Sequence, residues 1–246
     1  MAHIEVNAMS VKLFSTFEAE VFFPGPDLEA GKKYPAVWFI HPDGTGPVEL
    51  ERYTDLLDGY AEKKKIFIIA PDISHSLCTD MAWGTWNEQF IARECPGIFR
   101  FMYPLSGAPE DNYLLGIGSG AYGAAKVASH NRDLFRTAIL VNGELDVAAK
   151  CRMPEDGERF SCQTADSLDA LFGDRKTVEG GREDLYAESC GIPVKTILAC
   201  SRQSPWYPDN QRYAEKNTGA EVLFTDDEIS HQGVCRLMKQ ALDKIF

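Results

Sequence analysis

No stretch of the sequence is apolar for long enough to cross a bilayer. The longest apolar runs, Pro35 to Ile40 and Ile66 to Pro71, are far shorter than the roughly 20 residues a spanning helix needs. The opening Met1-Ala2-His3-Ile4-Glu5 has neither a basic segment nor an apolar one, so no signal peptide is read there. Basic residues are also in deficit, with 25 Lys and Arg against 37 Asp and Glu and a formal charge of −12. A nucleic-acid surface would require clustered Lys and Arg, so nucleic acid is not an expected partner, and neither is a membrane. The seven cysteines, Cys78, Cys95, Cys151, Cys162, Cys190, Cys200 and Cys235, are an odd number with no Cys-x-x-Cys spacing. They read as free thiols of a reducing cytoplasm rather than a disulfide framework or a zinc site. Repeats, low-complexity tracts and interdomain linkers are missing too.

What is present is ample core material, 44% hydrophobic and 11% aromatic, in an alternating pattern. β-like runs cover Glu5 to Leu13 and Glu18 to Phe23. Buried-strand runs follow at Tyr34 to His41, Ile66 to Pro71, Tyr113 to Ile117, Thr137 to Val141 and Val194 to Cys200, with a last strand at Glu221 to Phe224. Helical stretches fall between them, at Leu50 to Lys64, Trp86 to Met102, Ala121 to His130 and Asp209 to Lys216, and Gln232 to Phe246 closes the chain. Continuous rather than alternating hydrophobicity marks strands covered on both faces. The pattern predicts one α/β domain over 1–246, a mostly parallel sheet with helices on both faces. Residues Glu144 to Cys190 break the rhythm with polar, Gly-rich sequence and short helical patterns at Ala165 to Phe172 and Arg182 to Cys190. They read as a small cap or lid inserted between two core strands, over the carboxyl edge of the sheet where such folds bind ligands.

The stretch Asn112-Tyr113-Leu114-Leu115-Gly116-Ile117-Gly118-Ser119-Gly120-Ala121-Tyr122-Gly123 runs strand, Gly-rich turn, helix. It is open to three readings. A dinucleotide fingerprint would open the fold and be followed by an acidic residue after the next strand. Here the turn comes mid-chain and the next strand ends Val141-Asn142-Gly143-Glu144. A nucleophile elbow, Gly-x-Ser-x-Gly, needs small residues two before and two after a nucleophile held at positive φ. Gly116 and Gly120 meet that demand around position 118, which is itself Gly. Moving the frame to Ser119 puts bulky Ile117 at a small site. The third reading is a tight turn that needs glycine for packing alone, and glycine adopts positive φ without a Cβ penalty.

The stretch Asp111 to Ala124 resembles the elbow of the esterase D and tributyrin-esterase group of the α/β-hydrolase superfamily, typically Gly-Leu-Ser-Met-Gly-Gly-Tyr-Gly-Ala. That group includes S-formylglutathione hydrolases and acetyl-xylan and feruloyl esterases. Phe39-Ile40-His41, Thr79-Asp80-Met81-Ala82-Trp83-Gly84 and Tyr103-Pro104-Leu105-Ser106 are similar to family segments and lie in the family's order, so the resemblance runs from about Val6 to His231. It implies an α/β-hydrolase fold, acyl-transfer chemistry without a cofactor and a small ester or acyl ligand. Dimers are common in that group, which leaves room for a homo-oligomer, although no stretch of this chain reads as an interface.

The family's triad order is serine, acid, histidine. By that resemblance the serine slot falls on Gly118, the acid slot on Ser204 within Cys200-Ser201-Arg202-Gln203-Ser204-Pro205-Trp206-Tyr207, and the histidine slot on His231. The oxyanion loop becomes His41-Pro42-Asp43-Gly44, where Pro42 has no N–H but Asp43 can still offer its amide. A degenerate triad is therefore expected, with binding or scaffolding as its role. An active carboxylesterase would need a substitute: Ser119 or a thiol (Cys78, Cys200 or Cys235) paired with His231, and Asp209, Asp226 or Asp227 for the acid. A structural or oligomerising protein with a filled cleft is the remaining class. His41, Asp43, Asp72, His75 and Asp80 have no recognised metal-ligand spacing, so no metal is expected. Trp83 and Trp206 are expected in loops facing the cleft, as pocket walls.

Overall fold

The chain forms an eight-stranded sheet in the order β1-β2-β4-β3-β5-β6-β7-β8. The computed structural model describes residues 3–26, 28–43, 50–73, 75–152, 165–191 and 193–246. Strands β1 (His3–Ser10) and β2 (Ser15–Phe22) form an antiparallel hairpin, and β2 joins β4 (Phe67–Pro71) antiparallel. From β4 onward the sheet is parallel, through β3 (Ala36–Ile40), β5 (Asn112–Ile117), β6 (Thr137–Val141), β7 (Lys195–Ser201) and β8 (Glu221–Thr225).

The period of two along each strand divides the core into two layers. Trp38, Ile40, Leu114, Leu140 and Leu198 face one side. There they meet α2 (Asn87–Gln89, a π-helical turn at Phe90–Glu94, and Cys95–Met102), α3 (Ser119–His130), α4 (Val147–Cys151), α5 (Ala165–Phe172) and α6 (Tyr207–Lys216). Val37, Phe39, Leu115, Val141 and Ala199 face the other side, against α1 (Thr54–Lys64) and α7 (His231–Leu242). The π-helical turn has a local cause. Pro96 lacks an N–H, so the ladder must skip one bond within this helix, and a wider turn absorbs the break. Among the described residues no helix is long and apolar enough to cross a membrane.

Two boundaries depart from the sequence expectation. The hairpin turns at Val11 to Phe14, not beyond Leu13, because Glu94 accepts the N–H groups of Val11 and Lys12 at 2.8 and 3.0 Å. Phe14 then closes the turn at φ 55. The stretch Arg182 to Cys190 is not a helix beyond the single 3-10 turn Glu188–Cys190. Asp184 takes the Gly180 and Tyr186 N–H groups, each at 2.9 Å, and so offers the backbone an alternative to helical bonding.

The sheet order positions the site. From β3 the chain moves one way to β4, and then crosses over to β5 on the other side of β3. The strand order therefore reverses direction at β3 and β5, the kind of switch point at which open α/β sheets bind ligands. Below it, Asn112 is fully buried and ties the strand starts together. It accepts Trp38 Nε1–H at 3.1 Å and Arg100 Nη2–H at 2.9 Å, and donates to the Ser106 and Ala108 carbonyls at 3.1 and 2.7 Å. Asn112→Leu strands these partners away from water, so it is expected to lower stability by about 2–4 kcal/mol. Urea unfolding should show a lower midpoint at unchanged slope, and an unaltered midpoint would refute this role.

Candidate active site

The turn between β5 and α3 is built by backbone contact. A Cβ on Gly116 would lie 2.2 Å from the Gly120 carbonyl oxygen, and one on Gly120 would lie 2.3 Å from the Ile40 oxygen and 2.6 Å from the His41 oxygen. Neither position tolerates a side chain, because β5, α3 and the end of β3 pass one another main chain to main chain. Gly118, between them, has φ 58 and ψ −125. A Cβ there would meet only Pro42 Cβ and Cγ, each at an ordinary 3.7 Å. Position 118 thus has a positive φ and, unlike its two glycine neighbours, room for a Cβ. The turn is clamped from β6: Gly118 N–H donates to the Val141 oxygen at 3.1 Å, and Glu144 N–H donates to the Gly118 oxygen at 2.9 Å.

Ser119 is the first residue of α3 and is buried. Its Oγ accepts the Asp43 N–H at 2.7 Å, so it faces the loop after β3. Asp43 is itself buried, and its carboxylate lies 3.5 Å from the Leu77 N–H that donates to it. His41, also buried, has Nδ1 at 2.9 Å from the Pro42 oxygen and Nε2 at 3.6 Å from Asp72 Oδ1. Gly44 lies outside the described residues.

His231 opens α7 and is exposed. Its ring stands 5.2 Å from that of Tyr53, and its Nε2 lies 3.4 Å from Cys235 Sγ, one helical turn on. Ser204 is buried and serves the start of α6. Its Oγ accepts the Trp206 N–H at 3.2 Å and its carbonyl accepts the Tyr207 N–H at 3.0 Å. The candidate substitutes for the acid are engaged elsewhere. Asp226 pairs with Arg202 at 3.2 Å, Asp227 with Arg236 at 3.0 Å, and Asp209 accepts the Asp146 N–H at 3.4 Å. Burial, with the Asp146 carboxylate nearby, raises the Asp209 carboxyl above its ordinary range. Cys78 and Cys200 are fully buried, and burial pushes each thiol up to about 12. Cys235 is half-buried, its thiol also raised by burial. Asp80 accepts from the Gln89 backbone and side chain at 3.0 and 2.8 Å, and among the described residues no three His, Cys, Asp or Glu side chains converge as metal ligands. Trp83 is 77% exposed on a loop hydrogen-bonded to α5, and Trp206 is half-buried ahead of α6.

Sequence reasoning missed the polar groups that brace the carboxyl edge. Asn142, at φ 44, accepts the Ser201 N–H at 2.9 Å, and fully buried Asn210 donates to the Gly143 oxygen at 2.6 Å. Beside them Glu144 and Lys150 form an ion pair at 2.7 Å with both side chains buried. This pair also answers the dinucleotide reading, since Glu144 is turned into the protein rather than toward a ribose. The Asn142-Gly143 pair after β6 was the one available signal, because Asn tolerates the left-handed region.

An eight-stranded, mostly parallel sheet with a strand–elbow–helix turn at its switch point is the α/β-hydrolase fold. No family model matches the chain. It is similar to an acetyl esterase of Caldicellulosiruptor saccharolyticus, 24% identical over 152 residues, covering 58% of this chain and 56% of the relative, a little over half of that protein's length. Among solved structures it superposes on FphF, a fluorophosphonate-binding serine hydrolase of Staphylococcus aureus, with a TM-score of 0.86 at 20% identity over 99% of this chain and 98% of that one. The S-formylglutathione hydrolase FrmB of the same organism gives 0.82 at 21% identity over 99% and 98%. The resemblance to esterases of the α/β-hydrolase superfamily is thereby borne out.

The two glycine classes predict different costs. Gly120→Ala is expected to cost about 3 kcal/mol or more, since backbone must move. Gly118→Ala should cost less, about 1–3 kcal/mol, the penalty of a sparsely populated positive-φ conformation. Urea unfolding of both variants checks this, and equal losses would refute the elbow register. Asp209 makes a separate prediction. Its raised carboxyl favours the protonated native state, so its charge destabilises the fold above the ordinary Asp range. Asp209→Asn should therefore raise Tm at pH 7, the gain fading as pH falls toward that range. A drop in Tm at pH 7 would contradict it.

Proposed function

We propose that this chain is an esterase-type α/β-hydrolase-fold protein that has lost acyl-transfer catalysis and keeps its cleft for a small ester or acyl ligand. The observation that carries this reading is Gly118. It holds the φ of a nucleophile elbow, flanked by glycines that a nucleophile elbow requires, with room for the missing side chain. Acyl transfer in this fold needs a hydroxyl at that point, a histidine to take its proton and an acid to orient the imidazole. His231 is present, while the acid slot holds Ser204 bonded into the start of α6. Losing one member of such a triad costs several orders of magnitude in rate, and two are missing here. In this reading the segment 144–190, of which residues 153–164 lie outside the described residues, is a cap.

A second reading has one observation in its favour. Cys235 Sγ lies 3.4 Å from His231 Nε2, a contact that a thiol nucleophile would use. Its raised thiol weighs against that, because the thiolate is the reactive form.

Hydrolysis of p-nitrophenyl acetate and butyrate separates the two. The expected result is no turnover by the natural chain, and turnover by Gly118→Ser/Ser204→Asp that His231→Ala removes. Turnover by the natural chain that Ser119→Ala or Cys235→Ala abolishes would instead establish a working esterase with a displaced nucleophile.

A further inference from the structure

We infer that Ser119 closes the oxyanion position of this cleft by capturing the Asp43 amide, so that the loss of function extends beyond the triad. The inference rests on the elbow register above and adds a second, independent block. In an α/β-hydrolase the developing oxyanion is held by the amide of the residue after the nucleophile and by an amide from the loop after β3. Here those amides belong to Ser119 and to the His41-Pro42-Asp43 loop. Pro42 has no N–H to offer, which leaves Asp43 as the donor on the described part of that loop.

The Asp43 N–H is directed instead at Ser119 Oγ, 2.7 Å away. Both residues are buried, with 5% and 4% of their surfaces exposed, so the bond is shielded from water. The Asp43 carboxylate, taking the Leu77 N–H at 3.5 Å, ties the loop in the same pose from its other side. The contact is available because residue 119 carries a short side chain with an acceptor oxygen at its end. A side chain without an acceptor could not hold this amide, and the N–H would be free to turn toward the crevice. Ser119 is thus a positioning residue. Its side chain touches no reacting atom and acts through the orientation of the Asp43 peptide group.

The magnitude is set by what an oxyanion donor contributes. Removing one commonly costs about 10²–10³ in kcat, because the donor stabilises charge that develops only in the transition state. A nucleophile restored at position 118 should therefore work poorly until residue 119 releases the amide. KM should change little, since the ground-state carbonyl carries little charge.

Two measurements test this. The first is esterase activity of Gly118→Ser/Ser204→Asp with and without Ser119→Ala, toward p-nitrophenyl acetate. The expected result is a rise in kcat of about 10- to 100-fold on adding Ser119→Ala, with KM nearly unchanged. A fall in kcat would mean that the Ser119 hydroxyl itself serves the oxyanion, and an unchanged kcat would mean that the Asp43 amide is not limiting. Either overturns the inference while leaving the degenerate-triad reading intact. The second needs no activity: amide hydrogen exchange at Asp43 in the natural chain and in Ser119→Ala. Exchange at Asp43 should speed up at least about 10-fold, as expected when a buried hydrogen bond is lost, while Ala121 in the first turn of α3 stays unchanged. Exchange at Asp43 that does not respond overturns the inference whatever the activity assays give. Failure of the degenerate-triad reading has a separate signature, turnover by the natural chain.

Discussion

The approach of the Ile40 and His41 carbonyls to the Cα of Gly120 is the contact on which the rest of this molecule depends. It sets how closely α3 lies on β3, and so how steeply the chain must turn after Ile117. It also brings the loop after β3 alongside the first residues of α3, within reach of the Ser119 hydroxyl. Gly116 completes the arrangement from the strand side, its Cα facing the Gly120 carbonyl. Because the partners are main chain on both sides, no rotamer change can relieve a collision there. The left-handed turn at Gly118 follows from this packing and does not depend on a nucleophile being present.

That independence means that the turn needs no nucleophile to keep its shape. A serine at such a turn carries strain, of the kind stored at functional sites. Glycine at the same φ carries none, so the turn at position 118 is unstrained. The carboxyl edge is secured by groups outside the triad: Asn142 bridges β6 to β7, Asn210 holds the Gly143 carbonyl, and the Glu144–Lys150 pair is sealed beneath. With the scaffold held this way, Ser204 Oγ accepts the Trp206 N–H ahead of α6, and Ser119 Oγ accepts the Asp43 N–H.

Several features were legible from residues alone because their cause is local. Runs such as Val37-Trp38-Phe39-Ile40 and Ile66-Phe67-Ile68-Ile69 are apolar at every position, which only a strand covered on both faces requires. The spacing of Gly116 and Gly120 around Gly118 identified the elbow, since a steric requirement at two positions is a pattern in sequence. The hairpin turn and the stretch Arg182 to Cys190 were misjudged for a shared reason. Glu94 and Asp184 capture backbone N–H groups there, and a side chain's choice of partner leaves no periodic trace.

By itself, then, the sequence determined the alternation of strands and helices and the glycine spacing of the turn around position 118, because each follows from the size, polarity or φ preference of residues close in the chain. Only the tertiary structure decided where the remaining polar groups went. That Asp43 meets Ser119 across 76 positions, that His231 lies against Tyr53 and Cys235, and that Asp209 turns to Asp146 are outcomes of sheet order and helix packing. Hydrogen-bond partners are chosen by proximity after folding, and proximity between distant residues is a property of the fold rather than of any stretch of sequence.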